Sequence, residues 1–212
     1  MKNYTFKKVD EKPMLDSPVW NDVEKATLDN DNFCGENAEK ITVTAQGVCT
    51  KYGITVKFES DEKNPVIKYS HANQPAWTDS CVEFFLAPYP DEQGNYLNFE
   101  QSLGGALLLQ KGPNAADRTY IPHSDEYFET EKQIDENGWK IKFFIPFSFI
   151  DKHFATMNKK FRGNFQFCCE DKDVYLTWNR IENPFPAFHK PEYFGEMTLD
   201  MSVLDRMTAE CI

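Results

Sequence analysis

The feature that most limits what this chain can fold into is a short apolar alternation of period two, repeated along most of its length and broken each time by Gly, Pro, Asn or Asp. Alternation places successive side chains on opposite faces of an extended backbone, so these runs read as strands. Strands are expected near residues 41–45, 53–59, 66–69, 81–87, 96–101, 106–110, 138–145, 164–170 and 174–178. Nothing between them has the length and spacing of a crossover helix, which excludes a parallel βαβ architecture. The expected fold is all-β, an antiparallel β-sandwich of jelly-roll-like form with one or two short peripheral helices. Ser17-Pro18-Val19-Trp20 offers an N-cap followed by proline for one, and residues 146–157 carry Phe147, Ile150 and Phe154 at helical spacing for the other. With no linker, repeat or low-complexity tract, residues 1–212 are expected to form a single domain. A chain of this length buries enough surface to fold without a disulfide or metal staple.

Acidic residues outnumber basic ones 34 to 23, a formal net charge of -11 whose field repels phosphate backbones and anionic headgroups, so neither nucleic acid nor a membrane is an expected partner. No apolar run reaches the length of a spanning helix, and the literal N-terminus lacks a signal-peptide core. That reading places the protein in the cytoplasm, the alternative being a secreted or periplasmic protein whose leader has been removed. A monomer is expected. The six cysteines (Cys34, Cys49, Cys81, Cys168, Cys169, Cys211) show no metal-type spacing and are too few for a disulfide scaffold, so they read as reduced, mostly buried groups. Residues 124–137 hold six acids and one lysine, a solvated loop and edge before a cation site.

Strand parity then shows which side chains share a face. In residues 81–86, Val82, Phe84 and Leu86 form one face, and Glu83 stands on the other with Cys81 and Phe85. In residues 96–101, Leu97 and Phe99 alternate with Tyr96, Asn98 and Glu100; in residues 164–169, Phe165, Phe167 and Cys169 alternate with Gln166 and Cys168. One sheet would therefore present acids, amides and rings together. Carboxylates and amides bond vicinal hydroxyls directionally, and a flat ring packs on the C–H face of a pyranose, so the mixture suits a neutral polyhydroxylated ligand. Any one of these side chains alone would read as an ordinary solvent face. Two tryptophans stand where strands begin or end, Trp77 in a Pro-containing loop before the Glu83 strand and Trp178 at the close of residues 174–178. Trp139 opens an apolar alternation and reads as core, and Trp20 reads as an anchor of the N-terminal segment.

The segments Trp77-Thr78-Asp79-Ser80-Cys81-Val82-Glu83-Phe84-Phe85, Tyr96-Leu97-Asn98-Phe99-Glu100, Gly163-Asn164-Phe165-Gln166-Phe167, Thr177-Trp178-Asn179 and Phe188-His189-Lys190-Pro191-Glu192-Tyr193-Phe194-Gly195 together resemble the carbohydrate-binding module family 9-like domains, over residues 20–199. The resemblance implies a noncatalytic β-sandwich that holds the terminal sugar of an oligosaccharide or polysaccharide between two tryptophans, Trp77 and Trp178, with Glu83 as the main acceptor. Asn98, Glu100, Gln166 and Asn179 join the candidate set by parity and by proximity in the matching segments. The family's basic sugar contact has Arg118 as its nearest counterpart, in an irregular stretch. No cofactor is required; structural calcium is implied by the family, with Glu170, Asp171 and Asp173 as candidate ligands. Two other functions compete: a glycoside hydrolase using Glu83 and Glu100 as its paired carboxylates, and a haem-binding sandwich drawing axial ligands from His71, His123, His153, His189 and the methionines. No Ser-His-Asp order, P-loop, GxGxxG or HExxH supports hydrolysis by a nucleophile, nucleotide binding or zinc peptidase chemistry.

Overall fold

The computed structural model describes residues 1–90 and 94–201; Cys211 lies outside them. Thirteen strands follow one another: β1 (Asn3–Lys8), β2 (Ala26–Thr27), β3 (Val43–Thr50), β4 (Gly53–Ser60), β5 (Cys81–Ala87), β6 (Tyr96–Ser102), β7 (Leu107–Gly112), β8 (Thr119–Tyr120), β9 (Glu131–Asp135), β10 (Gly138–Pro146), β11 (Lys160–Cys169), β12 (Val174–Thr177) and β13 (Gly195–Leu199). The helix α1 (Phe147–His153) and a 3-10 turn at Pro18–Asp22 fall where the caps and spacing place them.

The strands form a curled sheet in the order β8-β7-β6-β5-β11-β13-β1-β3-β4-β10-β9, with β12 added to β11 and β2 to β3. It folds over on itself at β1, whose Asn3–Phe6 stretch pairs with β13 and whose Lys7 and Lys8 pair with β3. Both of those pairings are parallel, and the other strand pairings of the expected sandwich are antiparallel. The two halves close over one apolar core. Val82, Phe84 and Leu86 from β5, Leu97 and Phe99 from β6 and Phe165 and Phe167 from β11 meet Val56 and Phe58 from β4 and Ile141, Phe143 and Ile145 from β10. Trp139 belongs to this core and stacks on Phe167 at 5.9 Å. Trp20 is buried and donates its indole N–H to the Met14 carbonyl, tying down the N-terminal segment.

Residues 66–69 do not form a strand. Their amides are taken by side chains instead of a neighbouring strand: Val66 N–H donates to Ser80 Oγ, and Lys68 and Tyr69 N–H donate to Asp79 Oδ2 at 2.9 and 3.0 Å. These bonds fix the approach to β5. Buried Glu62 reinforces it by accepting from Trp139 Nε1 (2.8 Å), Ser80 Oγ (2.9 Å) and Lys172 Nζ (2.6 Å).

A second apolar cluster lies on the outer face of the β7-β6-β5-β11 half. There Phe85, Tyr96, Leu108, Cys81 and Cys168 are covered by Phe188, Phe194 and Ile181 from the long segment that follows β12. Cys168 and Cys169 thus serve opposite faces, as alternation requires, and the five cysteines among the described residues are free. Among the described residues no helix is long and apolar enough to cross a membrane.

Candidate functional site

Register builds the site on that outer face. Glu83 of β5 lies opposite Gln166 of β11 on one side and Glu100 of β6 on the other, and Glu100 lies opposite Leu108 of β7. One residue-pair further along, Asn164, Phe85, Asn98 and Gln110 form a parallel row. Where the covering segment leaves this face open, a cleft of about 810 Å³ remains. Glu83, Glu100, Leu108, Gln110 and Cys168 belong to its floor, and Trp77, Tyr120, Tyr175, Arg118 and residues 185–190 border it.

Two carboxyl groups directly opposite each other and each only 3 % exposed cannot both be ionised at low cost. Burial pushes Glu83 up to about 7 despite hydrogen bonds from Cys168 and Gln166. Glu100 is raised well above the usual range, first by burial and then by the charge of Glu83. Near neutral pH the pair therefore holds a proton, which makes it both donor and acceptor toward hydroxyl groups. Arg118 opposes the shift, its Nη1 lying 3.9 Å from Glu100 Oε1.

Arg118 is positioned by a local turn and by one imidazole. Asn114 Oδ1 accepts from the amides of Ala116 and Asp117, and the Ala115 carbonyl accepts from Arg118 Nε. Gly112 permits this return of the chain, since a Cβ there would stand 2.0 Å from the Asp117 carbonyl oxygen. Arg118 Nη1 lies 2.7 Å from His189 Nε2 and 3.2 Å from its Nδ1, and the Tyr96 hydroxyl meets Nδ1 at 2.8 Å. Burial, and secondarily the charge of Arg118, lowers His189 to about 3, which keeps the ring neutral.

Of the residues expected at the site, Trp77, Glu83, Glu100 and Arg118 come together in the cleft. Trp77 is 39 % exposed on a 3-10 turn (Ala76–Thr78) that leads into β5. Asn98 and Gln166 occupy the expected face but are completely buried beneath it, donating to Glu100 Oε1 at 2.8 Å and Glu83 Oε2 at 3.1 Å. They orient the acids instead of lining the cleft. Asn179 is consumed by the fold, accepting from the Lys2 amide and donating to the Tyr193 carbonyl.

Trp178 is the main correction. It is 4 % exposed and lies in the central core, edge-on to Phe165 at 5.7 Å and to Tyr4 at 6.2 Å. Gly195 makes room for the indole, because a Cβ there would be 2.4 Å from its Cζ3. Parity explains the placement: Val174, Leu176 and Trp178 follow one another at intervals of two, and all three enter the core. The alternate residue, Tyr175, faces the cleft, and the same alternation in the sequence could have found it. Tyr120, on the two-residue strand β8, and His189 and Phe185, in irregular chain, also border the cleft, where no run is long enough for alternation to assign a face.

The calcium candidates do not converge. Asp171 is ion-paired with Lys68, and among the described residues the one group of three His, Cys, Asp or Glu ligand atoms close enough for a cation is Cys81, Glu83 and Cys168. The histidines named as haem candidates lie apart in local contacts: His71 meets Asp125 at 3.3 Å, His123 Nε2 meets the Leu107 carbonyl at 3.0 Å, and His153 packs on Phe149.

Comparison with known proteins decides the family. The family model described as carbohydrate-binding family 9 matches residues 10–199. The chain belongs to carbohydrate-binding family 9. Members of this family are noncatalytic carbohydrate-binding modules, and the hydrolase alternative falls away. The family 9 domain is similar to a Bacteroides uniformis protein to which carbohydrate binding has been ascribed, at 25 % identity and a TM-score of 0.79 over 94 % of this chain and 99 % of that one. It also shares its fold with a family 9 module of Caldicellulosiruptor kristjanssonii solved with glucose, at 15 % identity and a TM-score of 0.61 over 93 % of this chain and 95 % of that one. The same holds for a family 9 module of that organism solved with cellotriose, at 14 % identity and a TM-score of 0.62 over 100 % and 97 % of the two chains. A search of curated proteins returns no match.

Proposed function

We propose that the cleft above Glu83 and Glu100 binds a neutral oligosaccharide of the glucose or cello-oligosaccharide class, with one sugar ring lying on Trp77 and its hydroxyls bonded by the acid pair and Arg118. The observation that carries this reading is the buried Glu83–Glu100 pair with Arg118 at the base of an aromatic-bordered cleft, in a chain of the family. A proton-sharing acid pair and a guanidinium can satisfy vicinal hydroxyls as donors and acceptors at once, and bonds with a charged partner are about twice as strong as neutral ones. Tyr175 supplies the second ring in the role first expected of Trp178. The fold neighbours solved with glucose and cellotriose support the ligand class. The affinity expected for a small sugar on one or two rings with a few hydrogen bonds is millimolar to micromolar, about -4 to -8 kcal/mol.

Calorimetry with glucose, cellobiose and cellotriose tests this on the wild type and on Glu83→Gln. The expected result is binding without turnover, weakened about tenfold or more in the variant, since an amide cannot reproduce the acid pair's donor and acceptor states. Equal affinity in both proteins would overturn the assignment of Glu83.

A further inference from the structure

At the base of the same cleft Glu83 meets two cysteine sulfurs that sugar recognition does not use, Cys168 at the cleft floor and Cys81 buried behind it. Cys81 and Glu83 are two residues apart on β5 and share a face, and Cys168 of β11 lies directly opposite Cys81. The two sulfurs and a Glu83 carboxylate oxygen all lie within 4.8 Å of one another. Cys168 Sγ is already 3.0 Å from Glu83 Oε1 and 3.4 Å from the Trp77 carbonyl oxygen.

We propose that Cys81, Glu83 and Cys168 form a binding site for a soft or borderline divalent cation of the zinc or cadmium type at the base of the cleft. A tetrahedral zinc ion with bonds of about 2.0–2.3 Å needs its ligand atoms about 3.4–3.8 Å apart, so three donors already within 4.8 Å of one another reach that geometry by side-chain shifts of about an ångström or less. The donors stand on two adjacent, hydrogen-bonded strands, whose backbone holds their spacing. Gln166 donates to the second oxygen of Glu83 at 3.1 Å and so orients the carboxylate, the outer support that metal-binding acids ordinarily have. Two sulfur donors select against calcium and magnesium, which take oxygen ligands. Both thiols bind as thiolates and release their protons to solvent, and two thiolates with one carboxylate leave a single excess negative charge around a divalent ion, with Arg118 bordering the same cleft. Glu83 and Cys168 border the cleft, so the fourth position opens toward it and takes water or a sugar hydroxyl. Because Glu83 is also the acceptor assigned to the sugar, cation and sugar affinities are coupled, each changing the other by the same factor.

The test is a cadmium titration of the full, chemically reduced chain, followed by the ultraviolet charge-transfer absorption of cadmium thiolate, on wild type, Cys168→Ala and Cys34→Ser. One ion per chain is expected, with affinity falling about a hundredfold or more in Cys168→Ala, since loss even of an outer support typically costs 10- to 100-fold, and unchanged in Cys34→Ser. Excess calcium should not compete. X-ray absorption at the zinc edge of the wild type, which needs no variant to fold, should show two sulfur neighbours. No charge-transfer band, a band that survives in Cys168→Ala, or a zinc spectrum without sulfur would each overturn the site. Sugar calorimetry on metal-free protein separates the two readings: sugar binding with no cation site would leave the proposed function standing and remove this inference alone.

Discussion

Replacing Trp178 by alanine separates a core role from a binding role. The indole is 4 % exposed and packed against Phe165 and Tyr4 between the sheet halves, a position where truncation leaves a cavity the surrounding strands cannot close. Buried Trp→Ala changes cost about 3–5 kcal/mol, set against a total stability of about 5–15 kcal/mol for a domain. For a chain of this size each kcal/mol lowers the melting midpoint by about 2–4 °C, so Trp178→Ala should melt about 6–20 °C below wild type. Trp77→Ala removes a half-exposed ring from a turn and should move the midpoint by less than about 0.5 kcal/mol in equivalent stability. Calorimetric melts of the two variants, with cellotriose titrations on each at a temperature where both are folded, measure both effects. The expected pattern is crossed: Trp178→Ala loses stability and keeps its affinity, whereas Trp77→Ala keeps stability and loses at least tenfold in affinity. A Trp178→Ala protein that melts like wild type but no longer binds sugar would refute the core assignment and restore a two-tryptophan clamp.

Other consequences follow from the same contacts. Gly195→Ala places a Cβ against the Trp178 ring and should cost about 1–3 kcal/mol in chemical denaturation without changing sugar affinity. Glu62→Ala strips Trp139, Ser80 and Lys172 of their shared acceptor and should destabilise by about 3 kcal/mol, read by the same assay. His189 is held at about 3 when folded and returns to its ordinary 6.5 when unfolded, so below 6.5 the unfolded chain binds the extra proton. Its contribution is present above about pH 6.5 and is lost as pH falls toward 3. The stability advantage of wild type over His189→Gln should therefore shrink across that window, and a pH-independent difference between their melts would contradict a buried neutral imidazole.

Much of the site-bearing sheet was legible because its signal is local. In β5 the alternation places Val82, Phe84 and Leu86 inward and Glu83 outward, and the strand has the expected bounds, Cys81–Ala87. Glu100, Asn98 and Gln166 fall on the expected face for the same reason. What was hidden depends on partners distant in sequence. β1 has only Tyr4 and Phe6 as apolar alternates among polar and charged neighbours, and its value lies in bridging β13 and β3, which a local pattern cannot report. β9 is an exposed acidic edge whose strand character comes from pairing with β10; its position is contained in the loop and edge expected over residues 124–137. Residues 66–69 have the composition of a strand, but Asp79 and Ser80 satisfy their amides first. Trp178 stands at a strand end, a place typical of recognition residues, but continuing the count from Val174 through Leu176 sends it inward. The sequence marks Arg118, His189 and Tyr96 separately, but their meeting joins three distant segments that no local pattern links.

The most direct measurement is a crystal structure of the wild-type protein soaked with cellotriose. A sugar ring over Trp77 with hydroxyls within hydrogen-bonding distance of Glu83 or Glu100 is the predicted result. Ordered sugar elsewhere on the molecule, with this cleft left to water, would contradict it.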